Sequence, residues 1–133
     1  MPAVEQVDAE KLLTDWLFTL VSGTEIPGVS GWSVGTTIKP GATPTNAIRV
    51  RTNGGVEEQR VADRPRLDVR LWGDGSYMTE GAVKRNARAL MARIRRDFRA
   101  TVFLDPIALP DPADTTKTHV MFTVELLTRG TQV

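Results

Sequence analysis

No cysteine occurs among the 133 residues of this chain. Disulfides and thiolate metal sites are therefore excluded, and the core must hold by packing alone. A chain without cysteine also suits a reducing cytoplasm. Histidine occurs once, at His119. A zinc site would need carboxylates almost alone, against the metal's preference for Cys and His ligands. No Gly-x-Ser-x-Gly elbow is present to set a nucleophile beside that histidine, so His119 reads as a strand-end residue in a polar setting. Charge of one sign is scarce, since the formal net charge is +1, and such a total gives no argument for a nucleic-acid or membrane partner. Long hydrophobic runs are missing too. The longest apolar cluster, Trp16–Val21, is far too short to cross a bilayer. The first residues lack the basic start and apolar run of a signal peptide. The expectation is a protein made and kept in a cytoplasm, or in whatever is assembled there, with no membrane contact.

What is present reads as one domain over 1–133. In Asp8–Val21 the residues Leu12, Leu13, Trp16, Leu17 and Leu20 recur at helical spacing, extending a stripe that begins with Val4. Trp16 and Phe18 are read as core. Thr24–Ser30 is a Gly/Pro connector, and Trp32–Lys39 alternates as a strand. Lys39–Asn46 is an irregular loop. Ala47–Thr52 alternates, and Asn53-Gly54-Gly55 predicts a tight hairpin turn, with a return strand at Val56–Val61. Asp63-Arg64-Pro65 turns the chain into the strand Arg66–Trp72, where Leu67, Val69 and Leu71 share one face. A long helix starts near Tyr77 or Thr79, with Val83, Ala87, Leu90, Met91, Ile94 and Phe98 on one side. Thr101–Leu104 fits a short strand. Asp105–Thr118, which holds Pro106, Pro110 and Pro112, predicts a long loop. His119–Leu127 is the last strand, apolar on both faces and hence central or covered, and Thr128–Val133 is a tail. The class is α+β: a mixed, mainly antiparallel sheet of four to five strands packed by two main helices.

Catalytic signals are lacking. Gly73-Asp74-Gly75-Ser76 precedes a helix, but it has neither the Lys-Ser/Thr ending of a P-loop nor a third glycine. Asp105, Asp111 and Asp114 do not follow the spacing of a calcium loop. We expect no catalytic residues, no cofactor and no metal. The charges are unevenly placed: Met78–Arg99 carries Lys84, Arg85, Arg88, Arg93, Arg95, Arg96 and Arg99 against Glu80 and Asp97, whereas the first helix is acidic through Glu5, Asp8, Glu10 and Asp15. Oppositely charged elements can act against further copies of the chain or within it. Arg85, Arg88, Arg95 and Arg99 have the chemistry to touch phosphates. No base-stacking aromatics are interleaved with them, so a solvated or intersubunit face is the first reading.

Three phrases carry a resemblance that spans nearly the whole chain: Arg66-Leu-Asp-Val-Arg-Leu-Trp-Gly73, Ala87-Arg-Ala-Leu-Met-Ala-Arg-Ile94 and His119-Val-Met-Phe-Thr-Val-Glu-Leu-Leu-Thr-Arg-Gly130. Together with the element order, they resemble the tail terminator proteins of long-tailed bacteriophages. The Arg- and Ala-rich style is most similar to those of actinobacterial hosts. The resemblance implies a structural virion protein with no reaction. Six copies would form a ring at the head-proximal end of the tail tube, stop tube polymerisation and present a surface to the head–tail connector or stopper. The partners implied are the chain itself, the tail tube protein, that connector and, transiently, genomic DNA passing through the lumen. Other head–tail joining proteins are the alternative, and a basic nucleic-acid-binding module is a third reading. The family offers no invariant site to carry over. The contact candidates therefore come from exposed, irregular stretches and outward charges: Lys39, Thr43, Arg49, Arg51, Asn53, Gly54, Arg66, Arg70, Asp111, Asp114 and Arg129. The arginines among them could pair across subunits with Glu57, Glu58 or Asp68, or simply within one sheet.

Overall fold

Two helices set the architecture in a computed structural model of the chain, which describes residues 4–5, 9–37, 44–52, 65–73, 80–111, 114–126 and 131–132. Helix α1 spans Ala9–Val21 and buries Ala9, Leu13, Leu17, Leu20 and Val21. Helix α2 spans Glu80–Phe98 and buries Val83, Ala87, Leu90 and Ile94. Both stripes follow the three- and four-residue spacing that keeps side chains on one side of a helix. Alanine, lysine, arginine and methionine, all strong helix formers, fill most of the rest of α2. It ends at Arg99, whose φ of +52° is left-handed, the conformation that stops a helix and normally selects glycine.

After α1 the connector forms a short 3-10 helix at Pro27–Val29, with Ile26 and Val29 buried. The Gly31 N–H donates to the Val21 carbonyl at 2.7 Å, which folds this connector back onto the end of α1. Gly31 has a φ of +78°, open to glycine at no steric cost.

The strands are β1 (Val4–Glu5), β2 (Ser33–Gly35), β3 (Ala47–Thr52), β4 (Arg66–Trp72), β5 (Thr101–Asp111), β6 (Asp114–Glu125) and β7 (Thr131–Gln132). Five of them form one sheet in the order β2-β3-β4-β6-β5, while β1 and β7 pair apart. β2 runs parallel to β3, and every other neighbour in the main sheet is antiparallel. The α+β class with a mixed, mainly antiparallel sheet is thus as expected. The additional β1–β7 pair takes the strand total beyond four to five. As its two-faced apolar pattern implied, β6 is interior, between β4 and β5.

Register decides which side chains meet. Ile48, Leu71 and Val120 lie in one row across β3, β4 and β6, and Val50, Val69 and Phe122 in the next. These rows form a single core with the apolar stripes of both helices. Because side chains alternate along a strand, the opposite face carries Arg49, Arg70 and Met121 in one row and Arg51, Asp68 and Thr123 in another.

Several expectations need correction. Asp105–Thr118 is not a long loop, because β5 and β6 pair as a hairpin from Thr101↔Glu125 to Asp111↔Asp114. The prolines are tolerated because β5 is an outer strand, where a missing N–H leaves no ladder bond broken, and because the register shifts between Leu104 and Ile107 and again between Pro110 and Asp111. Phe18 is not core: it is 64% exposed, since one residue beyond Leu17 lies about 100° around the helix from it. Trp16 is only partly buried and meets Phe98 edge-on at 5.4 Å. β2 is shorter than the predicted Trp32–Lys39 strand. The turn at Asn53–Gly55, the return strand Val56–Val61 and the break at Asp74–Ser76 lie outside the described residues.

Candidate functional site

The face of the sheet turned away from the helices gathers most of the described contact candidates. Arg49 and Arg70 stand directly opposite each other, as do Arg51 and Asp68. Like charges in such a pair work against the sheet, and Arg49 relieves this by turning toward the edge strand. Its Nε donates to the Thr37 carbonyl at 2.9 Å, and its Nη1 to the Ser33 carbonyl at 3.3 Å and the Ser33 hydroxyl at 3.2 Å. Burial pushes its guanidinium below the ordinary value. Arg49 thus braces β2 and the residues after it. Arg66 pairs with Glu125 at 3.1 Å inside the sheet. Asp68 accepts a hydrogen bond of 2.6 Å from the buried Thr123 hydroxyl. Arg51 is exposed and Arg70 half-buried.

At one end of this face β5 and β6 run past the end of β4 and carry a buried polar cluster. Trp72 is buried with its ring stacked on His119, centroids 4.9 Å apart and planes 20° apart. Its Nε1 donates to Asp111 Oδ1 at 3.3 Å. His119, expected at a strand end in a polar setting, is instead 2% exposed within β6, and among the described residues neither ring nitrogen has a hydrogen-bond partner. Burial first, then the charge of Arg70, pushes its pKa below the ordinary imidazole value, while Asp111 opposes them. The ring is therefore neutral at pH 7. Asp111, expected in an exposed loop, is itself 2% exposed, because the register shift at Pro110 brings it to Trp72. Asp114 opens β6 opposite Asp111. Lys39, Thr43, Asn53, Gly54 and Arg129 lie outside the described residues.

The two helices offer a second set of groups. The acids of α1 are engaged internally: Asp15 pairs with Lys11 at 2.7 Å, and Glu10 accepts from the Thr52 N–H at 2.8 Å and from the Thr52 hydroxyl. On α2, Lys84 pairs with Glu80 at 3.6 Å, Arg93 with Glu25 at 2.9 Å and Arg96 with Asp97 at 3.0 Å. The Arg96 hydrogen bond is the main reason that Asp97 titrates below the usual carboxylate range, and the Trp16 indole, 3.1 Å away, adds to it. Arg85, Arg88, Arg95 and Arg99 are exposed and enter no ion pair among the described residues. Ala92, Arg95, Arg96, Arg99 and Ala100 line a shallow open concavity of about 440 Å³.

Sequence reasoning missed the Trp72–His119–Asp111 cluster. The signal was an aromatic and a histidine at outward positions of two alternating strands, but their juxtaposition depends on register between strands distant in the chain. Among the described residues no group of three or more His, Cys, Asp or Glu side chains could hold a metal ion, and no helix is long and apolar enough to cross a membrane. No protein-family model matches the chain, nor does any curated protein sequence.

Proposed function

We propose that this chain is a structural tail terminator of a long-tailed phage. It forms a ring of six copies on the head-proximal end of the tail tube, stops tube growth and joins the tail to the connector or stopper. Its action is steric and interfacial rather than catalytic. The reading rests on the resemblance of the β4, α2 and β6 segments, and one observation supports an interfacial role most directly. Phe18 is 64% exposed on the polar side of α1, beside the Lys11–Asp15 pair. Most of that ring is left unburied by the fold of one copy. Burying its exposed part in a contact is worth about 2–3 kcal/mol, and aromatics of this kind anchor interfaces. The sheet face bearing Arg51 and Arg70 supplies polar groups for a rim.

The test images the purified protein by negative stain, alone and with its tail tube protein, alongside a Phe18→Asp variant. Rings on tube ends, and their loss in a variant that melts at the same temperature, are the expected result. A protein that stays monomeric and leaves tube length unchanged refutes the proposal. Capping by a partner that binds only the head side would favour the neighbouring reading of a neck or tail-completion protein.

A further inference from the structure

We propose that the outer side of α2 is a binding surface for the phosphate backbone of duplex nucleic acid. Arg85, Arg88 and Arg95 share one side of α2 at steps of three and seven residues, and Arg99 follows immediately past its end. Val83, Leu90 and Ile94 occupy the opposite side and are buried. At a rise of 1.5 Å per residue the line runs for roughly 20 Å. Ala92 sits in the middle of it and leaves the gap that, with Ala100, makes the floor of the concavity walled by Arg95, Arg96 and Arg99. Guanidinium groups around a small-residue floor match the charge and the bidentate geometry of a phosphate group.

Charge bookkeeping selects the occupant. Like charges three and four residues apart repel and disfavour the helix, and none of these four arginines is offset by an acid of its own chain among the described residues. Most of the described carboxylates that reach the surface are already engaged: half-buried Glu10 with Thr52, and exposed Asp15 with Lys11, Glu25 with Arg93, Glu80 with Lys84 and Asp97 with Arg96. Asp105 alone is exposed without such a partner. Among the described residues, a second copy offers few acids left over to match the line, which favours anions from another kind of molecule. A lipid surface fits poorly, because a helix that lies in a membrane interface needs an apolar side to insert, and the apolar side of α2 is committed to the core. Single strands fit poorly as well, since no aromatic side chain stands in the line to stack on bases. Duplex backbone, with one charge per roughly 1.7 Å of axis, presents about twelve phosphates over the same length.

This inference does not depend on the ring, so the two can fail separately. The test measures anisotropy of a fluorescent duplex of about 20 base pairs across a salt series. Four phosphate contacts give a slope of log K against log salt near −3.6, which is roughly a hundredfold loss between about 50 and 200 mM salt. The double variant Arg88→Gln/Arg95→Gln should halve the slope and weaken binding at low salt by at least tenfold. Arg85→Gln/Arg99→Gln should do the same, which covers the case in which one variant misfolds. The control Lys11→Gln/Lys117→Gln removes equal charge from exposed sites elsewhere and should change affinity less than threefold. Equal losses in the control and the α2 variants would reduce the effect to net charge and overturn the proposal. So would absence of saturable binding at low salt, or tighter binding to vesicles containing anionic phospholipid than to the duplex.

Discussion

Lowering the pH from about 7.5 to 5.5 should destabilise this protein through one side chain. His119 is the chain's single histidine. In this window carboxylates remain ionised and the α-amino group remains protonated for most of the range, so His119 is the principal group able to change charge. Its folded-state pKa lies below the ordinary value, first because it is buried and then because Arg70 repels the imidazolium. The unfolded chain therefore takes up a proton near pH 6.5 that the folded chain refuses. Stability is full above that pH and falls as the pH drops below it, until the folded ring also protonates. With an unfolded pKa of 6.5, the loss between pH 7.5 and 5.5 approaches about 1.4 kcal/mol if the folded ring stays neutral throughout. For a domain of this size that is a fall in Tm of roughly 3–6 °C. The assay is denaturant unfolding at three pH values, for the natural chain and for His119→Phe, which keeps an aromatic ring against Trp72. The variant should show a flat profile over this window. An equal slope in the variant, or an imidazole NMR titration midpoint at or above 6.5, would refute the reasoning.

Three further outcomes follow from the packing. Phe122→Ala removes a fully buried ring from the row shared with Val50 and Val69, and should cost about 3–5 kcal/mol in chemical denaturation. Arg99→Gly relieves a left-handed arginine at φ +52° and should raise stability by roughly 0.5–1 kcal/mol, read as a higher Tm. Gly28→Ala would drive a Cβ into the Asn86 side chain, which donates from Nδ2 to the Gly28 carbonyl at 3.4 Å. Because a side-chain end can move aside, a loss of about 1 kcal/mol is expected in the same assay.

Periodic elements were legible in the sequence and context-dependent ones were not. The stripe Val83–Ala87–Leu90–Ile94 and the alternation of Leu67, Val69 and Leu71 declare a period, and both elements formed where that period runs. Pro106 and Pro110 argued against a strand, yet an outer strand forgives prolines, and only the tertiary order makes β5 outer. Phe18 looked like core by residue type, while its angle on α1 places it in solvent. The inner rows of the sheet could be listed by face, but the pairing that sets Trp72 on His119 needs a register no local pattern supplies. The same holds for Arg93 and Glu25, 68 residues apart: the sequence showed a basic helix, and the fold decided which of its arginines would be neutralised.

The β5–β6 hairpin carries a consequence for how the chain reaches its native state. Its closing pair, Asp111 and Asp114, is almost adjacent in sequence, whereas β4 meets β6 across separations as large as the 59 residues between Arg66 and Glu125. Each doubling of a closed loop adds about 0.6 kcal/mol of entropy cost. The hairpin, joined by α2 just upstream, is therefore the expected nucleus, with β3 and β4 condensing onto its β6 edge afterwards. Substitutions in the hairpin should slow folding, while those in β3 should mainly speed unfolding. A segment made after β3 and β4 during synthesis would then be the one that organises them.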